Sequence, residues 1–338
     1  MKTWILKAGA SSLDALQLVE APKPEPGPGE VLIRVRACSL NYRDQLIPQG
    51  LYMGGPIGQD ITPLSDGAGE VEAVGPEATH FKVGDRVAGT FFQNWIDGRP
   101  NADAGPALGA PPAKGMLSEY VTLPEQGVVR LARSLTFEEA ATLPCAGVTA
   151  WNALMEGPHG VKSGEDVLVL GTGGVSLLAL QIAKAAGAHV IATSSSDDKL
   201  ARVRKLGADA TINYAENPDW GVKAAALAAS GGVEHVVEVG GAGTLAQSFL
   251  AVGYGGEVAL IGVLTRSGET APHGLMFKGA SLRGIFVGSR VMAERLNDFI
   301  DAHAIKPVID RVFPFAEARA AYDYQASPSL FGKVVISV

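Results

Sequence analysis

The stretch from Asp166 to Leu200 constrains the fold of this chain more than any other part of the sequence. Its apolar run, Val167–Leu170, predicts a buried strand that leads directly into a glycine-rich turn, Gly171–Gly174. Apolar residues at helical spacing follow, and Val190–Ala192 then predicts a second, parallel strand. We therefore predict a strand–helix–strand unit, which is the context in which such a glycine pattern indicates a dinucleotide site.

The turn itself suits a pyrophosphate. Glycines let the backbone approach the phosphates closely, and the helix that follows presents free N–H groups to them. The pattern reads G-x-G-x-x-S, because Ser176 stands where a third glycine is usual. An ordinary tight turn of an α/β protein is the alternative interpretation. The residues that we expect to contact the pyrophosphate are Gly171, Thr172, Gly173, Gly174 and Val175.

The rest of the chain divides into two regions of different character. The first part carries short apolar or alternating runs separated by Pro and Gly, which predicts a β-rich, barrel-like domain. From Thr136 strand and helix patterns alternate up to a last strand at Ser281–Val287, which predicts a doubly wound parallel sheet. The closing run, Gly332–Ser337, is expected to return to the first domain. We therefore predict an α/β fold with a β-rich domain (1–146 and 289–338) and a dinucleotide-binding domain (147–288).

Composition narrows the class of partner. A net charge of −7 over 338 residues provides no basic surface for nucleic acid. Two cysteines, Cys38 and Cys145, provide neither a disulfide framework nor a multi-cysteine zinc site. No apolar run reaches membrane-spanning length, and the first residues lack the apolar core of a signal peptide. We expect a cytoplasmic protein that acts on a small molecule, without nucleic acid or membrane.

One segment lacks any clear periodicity. Residues from Phe92 to Lys114 are rich in Gly, Pro and Ala. We expect a long surface loop there, either mobile or wrapped over a neighbouring surface. Together with Leu46–Pro56, it is expected to shape the substrate pocket, so the sequence leaves the substrate itself open.

Short patterns along almost the whole chain resemble the medium-chain dehydrogenase/reductase superfamily. The matching patterns are Ser39–Asp44, Asp66–Val71, Val83–Val87, Gly171–Val175, Gly207–Asp209 and Gly332–Val335. The resemblance implies a GroES-like catalytic domain, a Rossmann cofactor domain and hydride transfer with a nicotinamide cofactor. It also implies a homodimer formed through the strand near Glu257–Ile261 and the segment after it.

The zinc enzymes of that superfamily hold their metal with three protein ligands, and this chain keeps one of them. The resemblance places Asn41 and Ser65 at the first two ligand positions and Cys145 at the third. One thiol without an imidazole is a poor donor set for zinc. We therefore expect no zinc and a small buried residue in Cys145. The chain instead resembles the zinc-free, quinone oxidoreductase-like branch.

Without a metal, catalysis depends on positioning and on hydrogen-bond donors directed at the developing oxyanion. By resemblance to the S-L-N-x-x-D and G-x-Y patterns of the zinc-free branch, the candidate catalytic residues are Asn41, Tyr42, Arg43 and Tyr52. Alternatively, Asn41 and Asp44 cap a helix start. We favour the cap for Asp44 and ligand contact for Asn41, and leave Tyr42 and Arg43 open between surface and site.

The end of the second strand of the glycine unit bears on the choice of cofactor. NAD sites place an acidic residue there, about 20 residues after the glycines, whereas this chain has Ser194 and Ser195, with Lys199 downstream. Hydroxyls and a cation suit a 2′-phosphate, so NADP(H) is favoured over NAD(H), with Asp197 and Asp198 as evidence against it. By resemblance, Tyr214 lies on the adenosine side, and the nicotinamide side is lined by Thr149, Gly240, Gly262, Val263 and Val287.

Together these features predict an NADPH-dependent reductase that transfers a hydride to a quinone or an α,β-unsaturated carbonyl compound without a catalytic metal. Two alternatives stay open. One is a zinc-dependent alcohol dehydrogenase whose ligands lie elsewhere in the chain. The other is a non-catalytic NADPH-binding protein, comparable to the lens crystallins of this branch.

Overall fold

The structure is a computed structural model that describes residues 1–52, 55–262, 264–265 and 267–338. It contains two compact units, Met1–Val148 with Gly288–Val338, and Thr149–Val287. The second unit is thus inserted in the sequence of the first. Among the described residues, no helix is long and apolar enough to cross a membrane.

The elements of regular structure alternate along most of the chain. The strands are β1 (Lys2–Leu6), β2 (Leu16–Glu20), β3 (Glu30–Ser39), β4 (Asp66–Val74), β5 (Arg86–Gly89), β6 (Tyr120–Pro124), β7 (Val128–Arg130), β8 (Asp166–Leu170), β9 (His189–Ser194), β10 (Ala210–Asn213), β11 (Val233–Glu238), β12 (Val252–Leu260), β13 (Ser281–Gly284), β14 (Ile309–Pro314) and β15 (Lys333–Ser337). The helices are α1 (Tyr42–Leu46), α2 (Phe137–Ala140), α3 (Val148–Met155), α4 (Gly174–Ala185), α5 (Asp197–Lys205), α6 (Trp220–Leu227), α7 (Leu245–Ala251), α8 (His273–Lys278), α9 (Arg290–His303) and α10 (Ala318–Gln325).

A sheet in the order β14-β15-β3-β4-β5-β7, with β6 also paired to β3, forms the first unit. Strand β3 is central, because it pairs antiparallel with β15, β4 and β6. Its β-branched residues Val31, Ile33 and Val35 are at most 2% exposed and lie in the core of this unit. The predicted return of the closing strand to the β-rich domain is confirmed, since Val335 of β15 pairs with Ser39 of β3.

The second unit contains a six-stranded parallel sheet in the order β10-β9-β8-β11-β12-β13. Counted from β8 as the first strand, this is the 3-2-1-4-5-6 order of the dinucleotide-binding fold. Every residue of β8 is buried, as expected for a strand covered by helices on both faces. The predicted strand–helix–strand unit is confirmed as β8, α4 and β9, and the strand order reverses between β8 and β11.

The segment from Phe92 to Lys114 agrees with the second of its two predicted forms, a loop wrapped over a neighbouring surface. Phe92, Trp95 and Leu108 are 7%, 5% and 2% exposed, so the segment packs against the first unit rather than lying loose on its surface. Backbone bonds hold it, because Arg290 N donates to Trp95 O at 2.9 Å. Large apolar side chains among the Gly and Pro residues anchor the segment, and composition alone concealed them.

One detail of the last strands differs from prediction. Strand β13 ends at Gly284 rather than at Val287, whose φ of +56° is incompatible with an extended strand. Strand β12 lies between β11 and β13. Among the described residues, the edge of the sheet on that side is therefore Ser281–Gly284, which lies in the segment after Glu257–Ile261 that the predicted dimer contact also included.

Candidate active site and cofactor site

Helix α1 begins directly after β3 and is fixed by an acidic cap. Asp44 Oδ2 accepts a hydrogen bond from Asn41 N at 2.7 Å, which confirms the capping interpretation of Asp44. The Asp44 side chain is buried, and this burial raises its pKa from 3.8 to about 6, although the neighbouring Arg43 guanidinium acts in the opposite direction. The cap frees the Asn41 side chain for another partner.

That partner is Lys333, the first residue of β15. Its Nζ donates to Asn41 Oδ1 at 2.6 Å and to Leu40 O at 2.5 Å, and it lies 3.9 Å from Asp66 Oδ2. Lys333 is 4% exposed and Asp66 is fully buried. The sequence patterns included Lys333 but gave it no role. The available signal was a lysine at the head of an otherwise apolar closing strand, KVVI.

Asp66 connects the three positions at which the zinc enzymes carry ligands. Ser65 Oγ donates to Asp66 Oδ1 at 2.8 Å, and Cys145 N donates to Asp66 Oδ2 at 3.3 Å. Burial raises the pKa of Asp66, and Lys333 partly offsets that effect. Ser65 and Cys145 therefore meet at the Asp66 carboxylate, and the Asn41 side chain, which also acts to lower the pKa of Asp66, lies beside it with the Lys333 ammonium.

This donor set does not fit a zinc ion. Of the three positions, only Cys145 carries a thiol, the group that zinc binds as thiolate. The remaining groups are an amide, a hydroxyl, the Asp66 carboxylate, which already accepts from Ser65 Oγ and Cys145 N, and the Lys333 ammonium, which has no lone pair to offer. Among the described residues, no cluster of three or more His, Cys, Asp or Glu side chains is arranged to hold a metal.

The other candidate catalytic residues separate into two groups. Arg43 is 7% exposed, lies 4.8 Å from the ring centres of both Tyr52 and Phe91, and donates from Nη1 to Leu108 O at 2.7 Å. Burial raises the pKa of Tyr52, and the Arg43 charge opposes this effect. Tyr42 is 44% exposed and stays outside this group in the first unit. The structure thus brings Arg43 and Tyr52 together.

Several buried N–H groups of this region lack a well-formed hydrogen bond to a described residue. They are Asn41 Nδ2 and the Nε and Nη2 atoms of Arg43. Each side chain still has a polar neighbour, because Asn41 acts to lower the pKa of Asp66 and Arg43 acts to lower that of Tyr52. Leaving buried donors unpaired costs roughly 1–3 kcal/mol each, and native proteins keep such groups mainly where they have a function. Among the described residues, these N–H groups are therefore candidates for contact with a ligand.

In the second unit, the glycine turn after β8 forms an open cradle. Gly171 has a φ of +72° and donates from its N–H to Thr193 Oγ1 at 3.3 Å. A Cβ built on Gly171 or on Gly173 would meet no atom within 4 Å, so this side of the turn is free. Ser176 is buried, and its Oγ donates to Leu170 O at 2.6 Å, so it strengthens the turn from below. The cradle and the N-terminus of α4 fit a pyrophosphate.

The end of β9 carries the predicted hydroxyl groups. Ser194 is 5% exposed, and its Oγ accepts from Ser196 N at 3.2 Å, whereas Ser195 is exposed. Asp197 accepts from Asn213 Nδ2 at 2.9 Å. Tyr214, on the adenosine side by resemblance, is 44% exposed. Asp197, whose charge would repel a 2′-phosphate, therefore has a hydrogen-bond partner within its own unit.

The loop after β11 is organised by Glu238, a residue that the sequence patterns did not single out. Its Oε1 accepts from Gly240 N at 2.7 Å, from Gly241 N at 3.0 Å and from Thr244 Oγ1 at 2.6 Å, and Ser248 donates to its Oε2. Glu238 is fully buried. The signal for it was an acidic residue at the end of an apolar strand before two glycines.

The remaining residues predicted on the nicotinamide side are mostly buried. Val287 is 5% exposed, and its carbonyl accepts from Asn152 Nδ2 at 2.7 Å, which stabilises its left-handed backbone. Thr149 is 3% exposed. A Cβ on Gly262 would lie 2.1 Å from the Val239 carbonyl carbon, so close packing already explains that glycine. Val263 lies outside the described residues.

Two family models match the chain. The model described as "Alcohol dehydrogenase GroES-like domain" matches residues 27–133. The model described as "Zinc-binding dehydrogenase" matches residues 174–302. The first match falls within the β-rich unit, and the second covers most of the parallel-sheet unit and helix α9. Both parts of the predicted architecture are therefore found in known families.

Full-length relatives extend these matches. The chain is 44% identical over 336 residues to a zinc-type alcohol dehydrogenase-like protein of Schizosaccharomyces pombe, covering 97% of this chain and 96% of the relative. It is 30% identical over 307 residues to a quinone oxidoreductase of Pongo abelii, covering 89% and 86%. It is similar to a solved NAD-dependent alcohol dehydrogenase, with a TM-score of 0.89, 33% identity and 100% of both chains covered. The chain belongs to the medium-chain dehydrogenase/reductase superfamily, a family of oxidoreductases.

Proposed function

We propose that this protein is an NADPH-dependent reductase that transfers a hydride to a quinone or an α,β-unsaturated carbonyl compound without a catalytic metal. The observation that carries the proposal is the group around Asn41, where an ammonium, an amide and a carboxylate stand in place of a zinc ligand set. The similarity to a quinone oxidoreductase supports it. A quinone is itself an unsaturated carbonyl compound, so both substrates present a conjugated electrophilic carbon and an oxygen that gains charge.

The residues of the chain have separate roles in this reaction. The cofactor, when bound, supplies the hydride, and Gly171 and Gly173 would hold its pyrophosphate. The unpaired N–H groups of Asn41 and Arg43 donate to the carbonyl oxygen and stabilise the negative charge that develops there. The Tyr52 hydroxyl has a raised pKa and stays protonated at neutral pH. It is therefore a suitable third donor.

The cofactor preference is part of the same proposal. A 2′-phosphate needs donors and positive charge, which Ser194, Ser195 and Lys199 supply at the end of β9 and the start of α5. Asp197 is paired with Asn213, which reduces its repulsion of a phosphate. Titration of the purified protein with NADPH and NADH is expected to give a lower Kd for NADPH, and equal or inverted affinities contradict this preference.

The main experiment measures NADPH oxidation by the purified protein with 1,4-benzoquinone and with 2-cyclohexen-1-one. Turnover is expected with at least one of them, at the same rate with and without a metal chelator. Absence of turnover across a panel of quinones and enones contradicts the proposal. Tight NADPH binding without any turnover would instead favour the non-catalytic alternative.

The name of the Schizosaccharomyces pombe relative supports a second candidate, a zinc-dependent alcohol dehydrogenase. Metal analysis separates the two candidates. One equivalent of zinc per chain, together with alcohol oxidation that is lost on chelation, would establish the second candidate. We expect zinc well below one equivalent, because the donor set around Asp66 does not suit it.

We also propose that the protein is a homodimer, paired through the free edge of the second unit's sheet. Strand β13 forms that edge, and Leu282 on it is 41% exposed. Met276 and Phe277 of α8 are 65% and 76% exposed. An exposed strand edge with apolar neighbours favours association. Light scattering is expected to give twice the mass of one chain. The Leu282→Lys variant is expected to have the mass of a single chain. A monomeric wild type contradicts the proposal.

A further inference from the structure

The Lys333 ammonium makes its shortest contacts with neutral groups. Nζ lies 2.5 Å from Leu40 O and 2.6 Å from Asn41 Oδ1, but 3.9 Å from Asp66 Oδ2. A buried lysine that served only to neutralise Asp66 would be expected to contact its oxygens directly. Burying an ammonium is costly unless its geometry is well satisfied. The contact with Asn41 therefore needs an explanation of its own.

Chemistry fixes the consequence of this contact for Asn41. An ammonium can only donate hydrogen bonds, so the Asn41 atom that faces Lys333 must be the amide oxygen. The amide nitrogen is then forced to the opposite side. That nitrogen is the buried donor that lacks a well-formed hydrogen bond to a described residue, although the Asn41 side chain has the Asp66 carboxyl as a neighbour. Lys333 therefore determines which end of the Asn41 amide remains available to a ligand.

The fold holds Lys333 at this position from both sides. Strand β15 runs antiparallel to β3, and Leu40 N donates to Val334 O at 3.1 Å, so Lys333 lies level with the residues just after β3. Its own N–H donates to Val308 O at 3.0 Å. Gly332 precedes it with a φ of +94°, and a Cβ there would lie 2.5 Å from Val308 O. The lysine is thus fixed by backbone pairing and not only by its charge.

We propose that Lys333 is a positioning residue that orients the Asn41 amide so that its N–H group donates to the carbonyl oxygen of the substrate. The inference rests on the proposed function for the identity of the substrate. Lys333 does not itself touch the substrate or the cofactor in this scheme. It fixes, through one hydrogen bond, the donor that stabilises the oxyanion where the zinc branch uses a metal.

A double-mutant cycle tests whether Lys333 acts through Asn41. In the wild-type background, Lys333→Met is expected to lower kcat for an enone by about 10- to 100-fold, as for loss of a group that orients a reacting residue. In the Asn41→Ala background the same change is expected to cost less than about 2-fold. An equal loss in both backgrounds overturns the proposal. Lys333→Arg, which keeps a cationic donor, is expected to retain more activity than Lys333→Met.

Lys278→Met is the matched control. Lys278 Nζ donates to three carbonyls, those of Phe249, Leu250 and Val252, at 2.9, 2.9 and 2.6 Å in the second unit. Removal of this amine is expected to lower Tm and to leave kcat unchanged. A loss of kcat in Lys278→Met as large as that in Lys333→Met would show that any destabilised chain loses activity, and would overturn the proposal.

A second readout needs no turnover. In protein labelled with ¹⁵N-asparagine, the side-chain NH₂ resonances of Asn41 are identified by their absence from Asn41→Ala. Lys333→Met is expected to shift them, and Lys278→Met is expected to leave them in place. If the wild type reduces no enone or quinone, the proposed function fails while this shift still decides the orienting role. Unchanged Asn41 resonances in Lys333→Met overturn that role in either case.

Discussion

Glu238 in the second unit and Asp44 in the first are both carboxylates with at most 1% exposure, but their surroundings differ. Glu238 accepts from two backbone N–H groups and two hydroxyls, all within ten residues along the chain. Asp44 accepts through Oδ2 alone, and its Oδ1 has no partner among the described residues. Its neighbour Arg43 also keeps unpaired donors.

The difference indicates that Glu238 has a structural role, whereas Asp44 lies in the candidate active site. Neutral donors hydrogen-bond to Glu238, and these bonds fix the conformation of the Gly240–Thr244 loop. The group around Asp44 instead buries charges of both signs and leaves polar atoms of Asn41, Arg43 and Asp44 without a well-formed hydrogen bond to a described residue, which costs stability. Proteins tolerate such local costs at functional sites. The comparison therefore supports the proposed donors around Asn41 in the first unit and a structural role for Glu238 in the second.

Removal of the satisfied carboxylate is expected to have the largest effect. Glu238→Ala removes the acceptor of two backbone N–H groups and two hydroxyls, of which Thr244 Oγ1 keeps a second acceptor in Gly241 O, and we expect it to lower the free energy of unfolding by about 4 kcal/mol. Denaturant unfolding monitored by circular dichroism measures this loss. Glu216→Gln, at an exposed position of the same unit, is the control and is expected to be neutral. A loss below about 1 kcal/mol in Glu238→Ala would contradict the structural role assigned to this carboxylate.

Removal of the Asp44 charge is expected to raise the free energy of unfolding, by an amount that depends on pH. Because its pKa rises from 3.8 to about 6 on folding, the folded protein binds more protons than the unfolded chain between pH 4 and 6. This carboxyl group therefore makes the folded state less stable as pH rises through that window, by up to about 3 kcal/mol. Asp44→Asn retains an acceptor for Asn41 N and removes the charge.

Unfolding of the wild type and of Asp44→Asn between pH 4 and 8 checks this sign. As pH rises from 4 to 6, the free energy of unfolding of the variant is expected to increase relative to that of the wild type. Above about pH 7 the difference is expected to be constant. A difference that is constant across the whole range would show that Asp44 titrates as it does in the unfolded chain, and that its burial has no electrostatic cost.

Asn41→Ala tests the unpaired donors directly. Loss of one oxyanion donor is expected to lower kcat by about 100-fold, with the Kd for NADPH unchanged, because the glycine cradle lies in the other unit. Stopped-flow and steady-state measurements with an enone separate kcat from cofactor binding. A raised Kd for NADPH with kcat unchanged would place Asn41 in cofactor binding instead.

The smallest effect is expected at the edge of the cofactor frame. Lys199→Met removes a charge near the proposed 2′-phosphate and is expected to raise the Kd for NADPH by about 10-fold without changing that for NADH. Lys205→Met, exposed at the end of the same helix α5, is the control. Equal changes in Kd for NADPH and NADH would show that Lys199 does not contact the 2′-phosphate.

Local sequence signals determined much of this protein. The apolar strand, glycine turn and helix between Asp166 and Leu200 are set by residues a few positions apart, so they could be predicted as β8, α4 and β9. The cap by Asp44 spans three residues and was also accessible. Patterns of this kind depend on hydrophobic periodicity and on backbone hydrogen bonding, which are local properties.

Tertiary structure alone decided the rest. Phe92, Trp95 and Leu108 became buried because the first unit offered them apolar partners, which the Gly- and Pro-rich composition did not show. Lys333 contacts Asn41 across 292 residues of sequence, because β15 pairs with β3 only once the chain has folded back. By resemblance, the sequence could place Asn41 at the first zinc-ligand position of the zinc enzymes, but only the pairing of β15 with β3 could show that an ammonium lies beside its amide.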